Sequence, residues 1–325
     1  MKILIIGGGG YVGTKLTELF LKKNYFVTIY DLLIYGEDKI NKNKNLKIVK
    51  GDVRDLNSLK KTIKDQDIVI HLACISNDPS FELDPNLGKS INFDFFEGLV
   101  DLAKKNYVKK FIYASSSSVY GIKKEKNVTE EMPLNPLTDY SKFKVECEKV
   151  LLKNKTSDFV VSVVRPATVC GYSKRLRLDL IVNLFTNIAF HNNEITIFGG
   201  EQLRPNVHID DMCAAYLHLV NCKKELINGE VFNVGIDNLS IKQIAELVKK
   251  NIPKKIEIKK IDTNDNRSYH ISSEKIKLKL GFSFNKTVED AIKDLVFAFR
   301  NKQVINPLTN TDYFNIKKMQ EIKLI

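Results

Sequence analysis

The sequence predicts an α/β protein with a doubly wound parallel sheet and a smaller C-terminal lobe. Short apolar runs of strand length alternate with stretches in which apolar residues recur at helical spacing. The runs are almost unbroken, which is typical of strands that helices cover on both faces. Parallel neighbours need a crossover connection, usually a helix, so the alternation itself favours a parallel sheet.

The first half of the chain supplies most of the predicted sheet. Its apolar runs, which we interpret as strands, are Lys2–Ile6, Phe26–Tyr30, Leu46–Val49, Ile68–Leu72, Phe111–Ala114 and Phe159–Val164. The stretches of helical periodicity between them are Tyr11–Lys22, Ser58–Ile63, Phe93–Lys104 and Tyr140–Leu152. Strands and helices therefore follow one another as a doubly wound sheet requires.

The alternation weakens after about Arg165. Helices are predicted at Leu178–Ala189, Asp210–Val220, Ile241–Asn251, Ser273–Leu280 and Val288–Phe299. Short strands are predicted near Ile195–Phe198, Val231–Val234 and Ile256–Ile258. Because no proline-glycine linker separates the halves, we expect a second lobe packed on the first rather than an independent domain.

The composition is that of a globular protein in a reducing compartment. The 325 residues are 43% hydrophobic and 28% charged, which excludes disorder, collagen and coiled coil. The five cysteines are scattered without a C-x-x-C pair, so neither a disulfide framework nor a metal site is predicted. No apolar run approaches the roughly 20 residues of a membrane span, and no secretory signal pattern is found. We expect a cytoplasmic protein without a membrane partner.

The chain is basic, with 51 Lys and Arg against 39 Asp and Glu and a net charge of +12. A basic chain can bind nucleic acid, but these lysines are spread along the sequence, and no arginine cluster or repeated aromatic-basic pattern occurs. We therefore interpret most of the charge as a solvated lysine surface and expect no nucleic-acid partner. The positive charge would also attract an anionic small-molecule substrate.

A glycine-rich turn between the first strand and the first helix predicts a dinucleotide site. Gly7, Gly10 and Gly13 form G-x-x-G-x-x-G, which permits a tight turn and close approach of the backbone to a pyrophosphate. Asp31 ends the second strand, 18 residues after Gly13. An acidic residue there binds the adenosine ribose hydroxyls and repels the 2′-phosphate of NADP. Since no arginine adjoins Asp31 in the sequence, the predicted cofactor is NAD.

The third strand ends at Gly51-Asp52-Val53, where two interpretations of Asp52 stay open. It is either a turn or helix-cap residue, or it receives the adenine amino group. With the glycine-rich turn, these residues predict a Rossmann-type NAD-binding domain over residues 1–170, to which some later segments return. Residues 171–325 are expected to form mainly a substrate-binding lobe.

Tyr140 and Lys144 are four residues apart on a predicted helix and therefore share one face. A nearby ammonium and the positive charge of an oxidised nicotinamide would lower the tyrosine pKa towards neutrality and permit general-base catalysis. The spacing alone also fits an exposed helical pair. The serine run Ser115–Ser118 follows the fifth strand, at the edge where parallel sheets bind ligands. This run is either a flexible turn or a set of hydroxyls directed at a substrate oxygen.

Taken in order, these motifs resemble those of the extended short-chain dehydrogenase/reductases. The matching segments are Gly7–Gly13, Asp31, Asp52-Val53, His71-Leu72-Ala73, Ser115–Gly121, Tyr140-x-x-x-Lys144 and Arg165-Pro166. Within this class, the chain is similar to the NAD-dependent nucleotide-sugar epimerase/dehydratase family over nearly its whole length. The ordered set is specific, although no single motif is.

The resemblance implies a role for each matching residue. Tyr140 is the expected base, Lys144 is expected to hold the nicotinamide ribose, and Ser116 is expected to bond the reacting oxygen. The expected cofactor-binding residues are Gly7, Gly10, Tyr11, Val12, Gly13, Asp31, Asp52, Val53, Leu72 and Ala73, together with Tyr140 and Lys144. The expected substrate-binding residues are Ser117, Ser118, Thr168, Arg204 and Arg267, of which the two arginines would bind the substrate diphosphate.

The implied reaction is NAD-dependent oxidation of a hydroxyl, at C4, of a nucleotide-activated sugar. A 4-epimerase is favoured, with a net 4-dehydrogenase or reductase as the alternative; a non-catalytic NAD sensor would not need the tyrosine, lysine and serine together. Relatives that eliminate water resemble Thr-Asp-Glu-Val-Tyr-Gly here, with carboxyl groups where this chain has Ser117 and Ser118, and sugar-acid decarboxylases usually carry Glu at the position of Ser118. Loss of water or of carbon dioxide is therefore not expected. A homodimer is expected to pair through Asn92–Lys105 and Tyr140–Leu152.

Overall fold

A seven-stranded parallel sheet forms the centre of the molecule. The computed structural model describes residues 1–125, 127–263, 268 and 270–322. Within them the strands are β1 (Lys2–Ile6), β2 (Phe26–Asp31), β3 (Leu46–Lys50), β4 (Ile68–His71), β5 (Lys110–Ala114), β6 (Val160–Pro166), β7 (Thr168–Cys170), β8 (Glu194–Phe198), β9 (Leu203–His208), β10 (Glu230–Val234), β11 (Asp237–Ser240) and β12 (Glu257–Ile261). The helices are α1 (Tyr11–Lys22), α2 (Leu56–Ile63), α3 (Asp78–Phe81), α4 (Pro85–Lys89), α5 (Phe96–Lys105), α6 (Asp139–Lys153), α7 (Ile181–Asn192), α8 (Ile209–Asn221), α9 (Lys224–Ile227), α10 (Ile241–Asn251), α11 (Glu274–Leu280), α12 (Val288–Arg300) and α13 (Asn315–Ile322). In this described part of the chain, no helix has the length and apolarity that crossing a membrane requires.

The strand order opens a crevice at the carboxyl ends of β1 and β4. The order across the sheet is β10-β6-β5-β4-β1-β2-β3, and every neighbouring pair is parallel. The chain moves outward from β1 to β3 on one side and from β4 to β6 on the other. The order therefore reverses between β1 and β4, which is where doubly wound sheets bind ligands. The predicted fold class is confirmed.

Alternating side chains of the central strands build two hydrophobic layers. In β1, Ile3 and Ile5 belong to the layer on one face, whereas Leu4 and Ile6 belong to the layer on the other. This division follows because successive strand residues point to opposite faces. Helices α1 and α8 cover the first face, and α2, α5 and α6 cover the second. Each central strand is thus buried on both sides, as its unbroken apolar sequence predicted.

The second lobe contains two small sheets and three helices that pack around a common core. Strands β11, β9 and β7 form one sheet, and β12 pairs in parallel with β8 in the other. Helices α7, α10 and α12 enclose an aliphatic core that includes Val182, Ile244 and Ile292. The sequence did not predict β7, β9 or β11, because β7 and β11 are only three and four residues long and polar residues and a proline interrupt β9. It also missed the short helices α3, α4, α9 and α13.

The chain returns from the second lobe to the large sheet. After β9, helix α8 packs against α1, and β10 then pairs with β6 through the register Val231 to Val163. Residues 209–234 consequently lie with the first 166 residues rather than with the small sheets. One edge of the central sheet is therefore made by a strand from well beyond residue 170.

Candidate active site

A cavity of about 360 Å³ lies at the crevice between β1 and β4. Its walls come from the glycine-rich turn, the end of β2, the loops that follow β4, β5 and β6, and the beginning of α6. Side chains from the second half of the chain, including parts of α8 and α13, close another side. The cavity therefore brings together most of the segments that the sequence motifs marked.

The glycine-rich turn holds the N-terminus of α1 against the cavity. Gly7 has a φ of +88°, and a Cβ on it would lie 2.4 Å from the backbone nitrogen of Ala73. A Cβ on Gly13 would lie 2.3 Å from the Gly7 carbonyl oxygen. Gly10 caps α1 without a side-chain bond, and the first N–H groups of a helix have no partner within it. These N–H groups can bind a phosphate, which is the geometry that an NAD pyrophosphate needs.

Asp31 lies at the end of β2 and lines the same cavity. Its carboxylate accepts the Gly9 N–H at 3.0 Å and the Leu33 N–H at 2.7 Å. Burial raises the pKa of this carboxyl, while the two N–H groups and the charge of Arg175 act in the opposite direction. Although no arginine adjoins Asp31 in the sequence, the fold brings Arg175 into electrostatic range of it. The carboxylate remains placed to accept ribose hydroxyls.

Asp52 takes the position of a turn residue. Its Oδ2 is 2.6 Å from Arg54 Nη2, and its Oδ1 accepts the Arg54 backbone N–H at 2.8 Å. Although burial raises the pKa of Asp52, these bonds to Arg54 hold it below its ordinary value. Among the described residues, Val53, Leu72 and Ala73 line the cavity, whereas Asp52 does not. This geometry favours the turn interpretation of Asp52 over adenine recognition.

Tyr140 and Lys144 lie in the first two turns of α6, where both side chains are buried and line the cavity. The helix starts cleanly because the Thr138 hydroxyl accepts the Ser141 N–H. Lys144 Nζ donates to the Ala114 carbonyl oxygen at 2.7 Å and lies 5.7 Å from the centre of the Tyr140 ring. The lysine is thereby fixed beside the tyrosine, at the end of β5.

The surroundings of Tyr140 make its phenol a weaker acid in the chain without NAD. Burial raises its pKa well above 10, and the nearby Cys74 and Asp78 raise it further. A hydrogen bond with Ser116 acts in the opposite direction without offsetting the burial. The protein's own groups therefore keep the pKa of Tyr140 above its ordinary value. An oxidised nicotinamide, when bound, supplies an additional positive charge that favours the phenolate.

A chain of hydroxyl groups extends from Tyr140. Ser116 Oγ lies 2.8 Å from Ser118 Oγ, which in turn accepts from Ser141 Oγ at 2.8 Å. The Thr138 hydroxyl is 3.0 Å from Ser141 Oγ and also bonds to the Asp78 carboxylate. Each hydroxyl can both donate and accept, so the chain holds Ser116 in place beside the tyrosine.

A buried ion pair supports the serine turn from behind. Arg165 and Glu148 are only 5% and 3% exposed, and Arg165 Nη2 is 2.6 Å from Glu148 Oε2. Glu148 also accepts a hydrogen bond from the Ser115 hydroxyl, while Arg165 Nη1 donates to the Tyr120 hydroxyl at 2.8 Å. The pair therefore ties both ends of the serine turn to α6 and β6.

The predicted substrate residues occupy different places. Ser117, Ser118 and Thr168 line the cavity. Arg204 lies on β9, donates to the Leu203 carbonyl oxygen at 2.9 Å and is not among the described residues that line the cavity. Arg267 lies outside the described residues. The two serines and Thr168 therefore line the same cavity as Tyr140, whereas Arg204 does not.

The sequence reasoning missed several cavity residues, which come from distant segments. Arg177 forms a paired bond with Asp179 at 2.9 and 3.1 Å and donates to the Ser76 hydroxyl at 3.0 Å. Asp78 lies in an Asn-Asp-Pro turn after β4, and that turn signal could have marked it. No local pattern marks Arg177 or Asn315. Apart from Asp179, two residues after Arg177, the partners are remote in sequence, Ser76 from both residues and Arg175 from Asn315.

The chain is similar to known proteins over most of its length. The NAD dependent epimerase/dehydratase family matches residues 3–235. A UDP-glucose 4-epimerase of Lactobacillus helveticus is 28% identical over 270 residues, which cover 76% of this chain and 82% of that protein. A UDP-N-acetyl-alpha-D-glucosaminuronate decarboxylase of Bacillus cytotoxicus is 28% identical over 260 residues, covering 75% and 78%. The crystal structure of Thermotoga maritima UDP-glucose 4-epimerase with UDP-glucose is similar with a TM-score of 0.83, at 25% identity over 94% of this chain and 100% of that one.

The fold and the site together define an extended short-chain dehydrogenase/reductase. More narrowly, the chain belongs to the NAD dependent epimerase/dehydratase family, and NAD is its cofactor. The backbone turn that only glycine fits and the carboxylate at the end of β2 are consistent with this cofactor.

Proposed function

We propose that this protein is an NAD-dependent nucleotide-sugar 4-epimerase. The observation that carries the proposal is the single cavity that holds the glycine-rich turn, Tyr140, Lys144 and Ser116. The relatives named above act on UDP-linked sugars, which supports a nucleotide sugar as the substrate class. Their reactions differ, so the relatives support the substrate class more strongly than the reaction at C4.

The proposed mechanism begins once Tyr140 has lost its own proton, which the positive charge of bound NAD would favour, and can accept one from the sugar. The phenolate takes the proton of the sugar hydroxyl, Ser116 donates a hydrogen bond to the same oxygen, and a carbonyl forms as hydride leaves the carbon. NAD, when bound, supplies the hydride acceptor. Lys144 stabilises the phenolate and binds the nicotinamide ribose. Before the return step the keto-sugar turns over in the cavity, so that its opposite face is presented. Tyr140 then gives the proton back to the oxygen, while the hydride would return from the reduced cofactor.

The experiment that tests the reaction uses the purified protein with NAD and a panel of UDP-, dTDP-, GDP- and CDP-sugars. NADH absorbance and product NMR are followed in the same sample. A new sugar without accumulated NADH supports the epimerase. Accumulated NADH with a keto product would instead establish the alternative, a net 4-dehydrogenase. If no sugar is converted while NAD binds, the protein is a non-catalytic sensor and the proposal fails.

The cavity chemistry favours oxidation without loss of water or carbon dioxide. By the family resemblance, Ser117 and Ser118 stand where dehydratases carry carboxyl groups, and Ser118 where decarboxylases carry Glu. A serine hydroxyl cannot transfer a proton as a carboxylate does near pH 7. Besides Asp31, the carboxylate of Asp78 lines the cavity, within electrostatic range of Tyr140, and the Thr138 hydroxyl bonds to it. Mass spectrometry of products from 6-hydroxylated and glucuronic-type nucleotide sugars tests this point. A loss of 18 or 44 mass units, about one water or carbon dioxide, would contradict it and make Asp78 the first residue to replace.

Arg204 and Arg267 remain the proposed contacts of the substrate diphosphate. If they bind it, replacing either by Ala should raise KM for the nucleotide sugar and leave kcat within a few-fold. Unchanged kinetics in both variants would place the diphosphate elsewhere.

We also propose a cytoplasmic homodimer that pairs through α5 and α6. Light scattering that shows only a monomer would contradict the dimer.

A further inference from the structure

Arg175 is a buried cation with unused hydrogen-bond donors. Arg175 is only 3% exposed, and its guanidinium carbon Cζ lies 3.6 Å from the centre of the Tyr35 ring. Its Nη2 donates to Asn315 Oδ1 at 2.7 Å. Within the described part of the chain, its Nε and Nη1 are buried and have no hydrogen-bond partner. Buried donors without partners are costly, so they point to a ligand that satisfies them.

The surroundings of Arg175 locate that ligand. Arg175 lines the cavity and lies within electrostatic range of Asp31, at the end that takes the adenosine ribose. Arg177, two residues later, interacts electrostatically with Tyr11 at the start of α1 and with Tyr140. The arginine segment therefore runs along the cavity between its ribose end and its catalytic end. In a dinucleotide bound along this path, the group between those two ends is the diphosphate.

We propose that Arg175 donates to the diphosphate of NAD, opposite the N-terminus of α1, and that Asn315 positions it. The planar guanidinium fork suits phosphate oxygens. The glycine-rich turn offers only backbone N–H groups to two negative charges, so a cation on the other side balances them. Asn315 Oδ1 also accepts the Tyr35 hydroxyl at 3.1 Å, and its Nδ2 donates to Ser76 Oγ at 3.0 Å. The last described helix, α13, is thereby made part of the cofactor site.

A 2′-phosphate is a poorer candidate for the same donors. Such a phosphate would lie on the ribose beside the Asp31 carboxylate, and the two negative groups would repel each other. The diphosphate of a dinucleotide bound along the cavity would lie further from this carboxylate than the ribose does. Arg175 is therefore assigned to the diphosphate, which NAD and NADP share.

The test measures ligand binding by calorimetry and needs no sugar substrate. NAD, ADP-ribose, adenosine and NADP are titrated into the unmodified protein and into Arg175→Met and Arg175→Lys. We expect Arg175→Met to weaken NAD and ADP-ribose by roughly 10- to 100-fold and to leave adenosine unchanged. Arg175→Lys should recover part of the loss, because it keeps the charge without the fork. Arg300→Met, at an exposed arginine of α12, is the matched control and should bind as the unmodified protein does.

A second variant separates positioning from folding. Asn315→Ala keeps Arg175 but removes its anchor, and it should weaken NAD by a few-fold without changing the circular dichroism of the free protein. Unchanged NAD affinity in Arg175→Met would overturn the proposal. So would a loss confined to NADP, which would indicate the 2′-phosphate, or an equal loss for adenosine, which would indicate a structural role. If Arg175→Met does not fold, unchanged affinity in both Asn315→Ala and Arg175→Lys overturns the proposal. These results do not depend on whether the protein proves to be an epimerase.

Discussion

Tyr140 has a buried phenol whose hydroxyl bonds to Ser116, in a chain that continues to Asp78. Replacing Tyr140 by Phe removes the proposed base but keeps the ring that packs against Phe81. We expect turnover of the nucleotide sugar to fall by about 10²- to 10⁴-fold with little change in NAD affinity. Steady-state kinetics and calorimetry on the same preparation check this. Turnover within a few-fold of the unmodified enzyme would remove Tyr140 from the mechanism.

His71 makes the folded protein sensitive to acid. Its ring lies among Phe95, Phe96 and Tyr113, and burial, with a contribution from Lys144, lowers its pKa to about 3. In the unfolded chain the pKa is near its ordinary value of about 6.5. Between these values the unfolded chain binds a proton that the folded chain excludes. The contribution of His71 to the free energy of unfolding is therefore fully present above about pH 6.5. It falls by about 1.4 kcal/mol per pH unit as the pH drops from there towards 3.

Urea unfolding at pH 7 and pH 5 tests the contribution of His71. The free energy of unfolding should fall less between these pH values in His71→Leu than in the unmodified protein. The unfolded variant has no imidazole at position 71 to take up a proton. The replacement is close in volume and keeps the apolar contacts. An identical pH dependence in both proteins would assign the acid sensitivity to other groups.

Glu148 is the counter-charge of a buried arginine. Replacing it by Gln leaves Arg165 uncompensated and loosens the serine turn that bonds to Glu148 through Ser115. We expect the free energy of unfolding to fall by about 3–5 kcal/mol. Glu146, on the same helix, pairs with Lys149 at the surface, so Glu146→Gln should change stability by less than about 1 kcal/mol. Equal effects in the two variants, measured by chemical denaturation, would show that burial of the pair is unimportant.

At the scale of elements, the contact between β1 and α1 leaves no room for a side chain. A Cβ on Gly13 would lie 2.3 Å from the Gly7 carbonyl oxygen, which is backbone and cannot move aside cheaply. Gly13→Ala should therefore lower stability by about 1–3 kcal/mol and weaken NAD binding, because the N-terminus of α1 is displaced. Thermal unfolding and NAD titration measure the two effects.

The matched control is Gly281→Ala at the end of α11. Gly281 has a φ of +68°, and a Cβ there meets nothing within 4 Å. The variant adds backbone strain without a collision, so it should lose stability but retain NAD affinity. Loss of NAD affinity in both variants would indicate a general effect of instability rather than a local displacement.

The sequence was most informative where function depends on neighbours along the chain. The glycine-rich turn, the carboxylate after β2 and the tyrosine-lysine pair each have a local spacing that a single element imposes. Arg175 and Asn315 are 140 residues apart, and neither lies in a periodic pattern, so only the fold shows that they touch. Strand β9 was missed because Arg204 and Pro205 interrupt its apolar character, although it pairs on both sides.

At the scale of the whole molecule, the returning strand links the two lobes into one unit. The chain leaves the large sheet after β6, builds β7, β8 and β9, and comes back as α8 and β10. Neither lobe can then unfold without disturbing the other. We expect one cooperative transition in which circular dichroism and hydrogen exchange of α10 and β6 change together. Earlier exchange throughout α10 than in β6, at the same denaturant concentration, would contradict this.

The same return path determines when the sheet can be completed during synthesis. A nascent chain that has emerged to residue 170 holds β1 to β7 but lacks α8, which packs on α1, and β10, which covers the edge of β6. At roughly 5–20 residues per second, several seconds pass before residue 234 emerges. Throughout that interval, an apolar helix face and a strand edge are open to other chains, which is the kind of surface that chaperones bind. Slow translation of residues 171–234 would therefore lower the yield of folded protein more than an equal delay after residue 234.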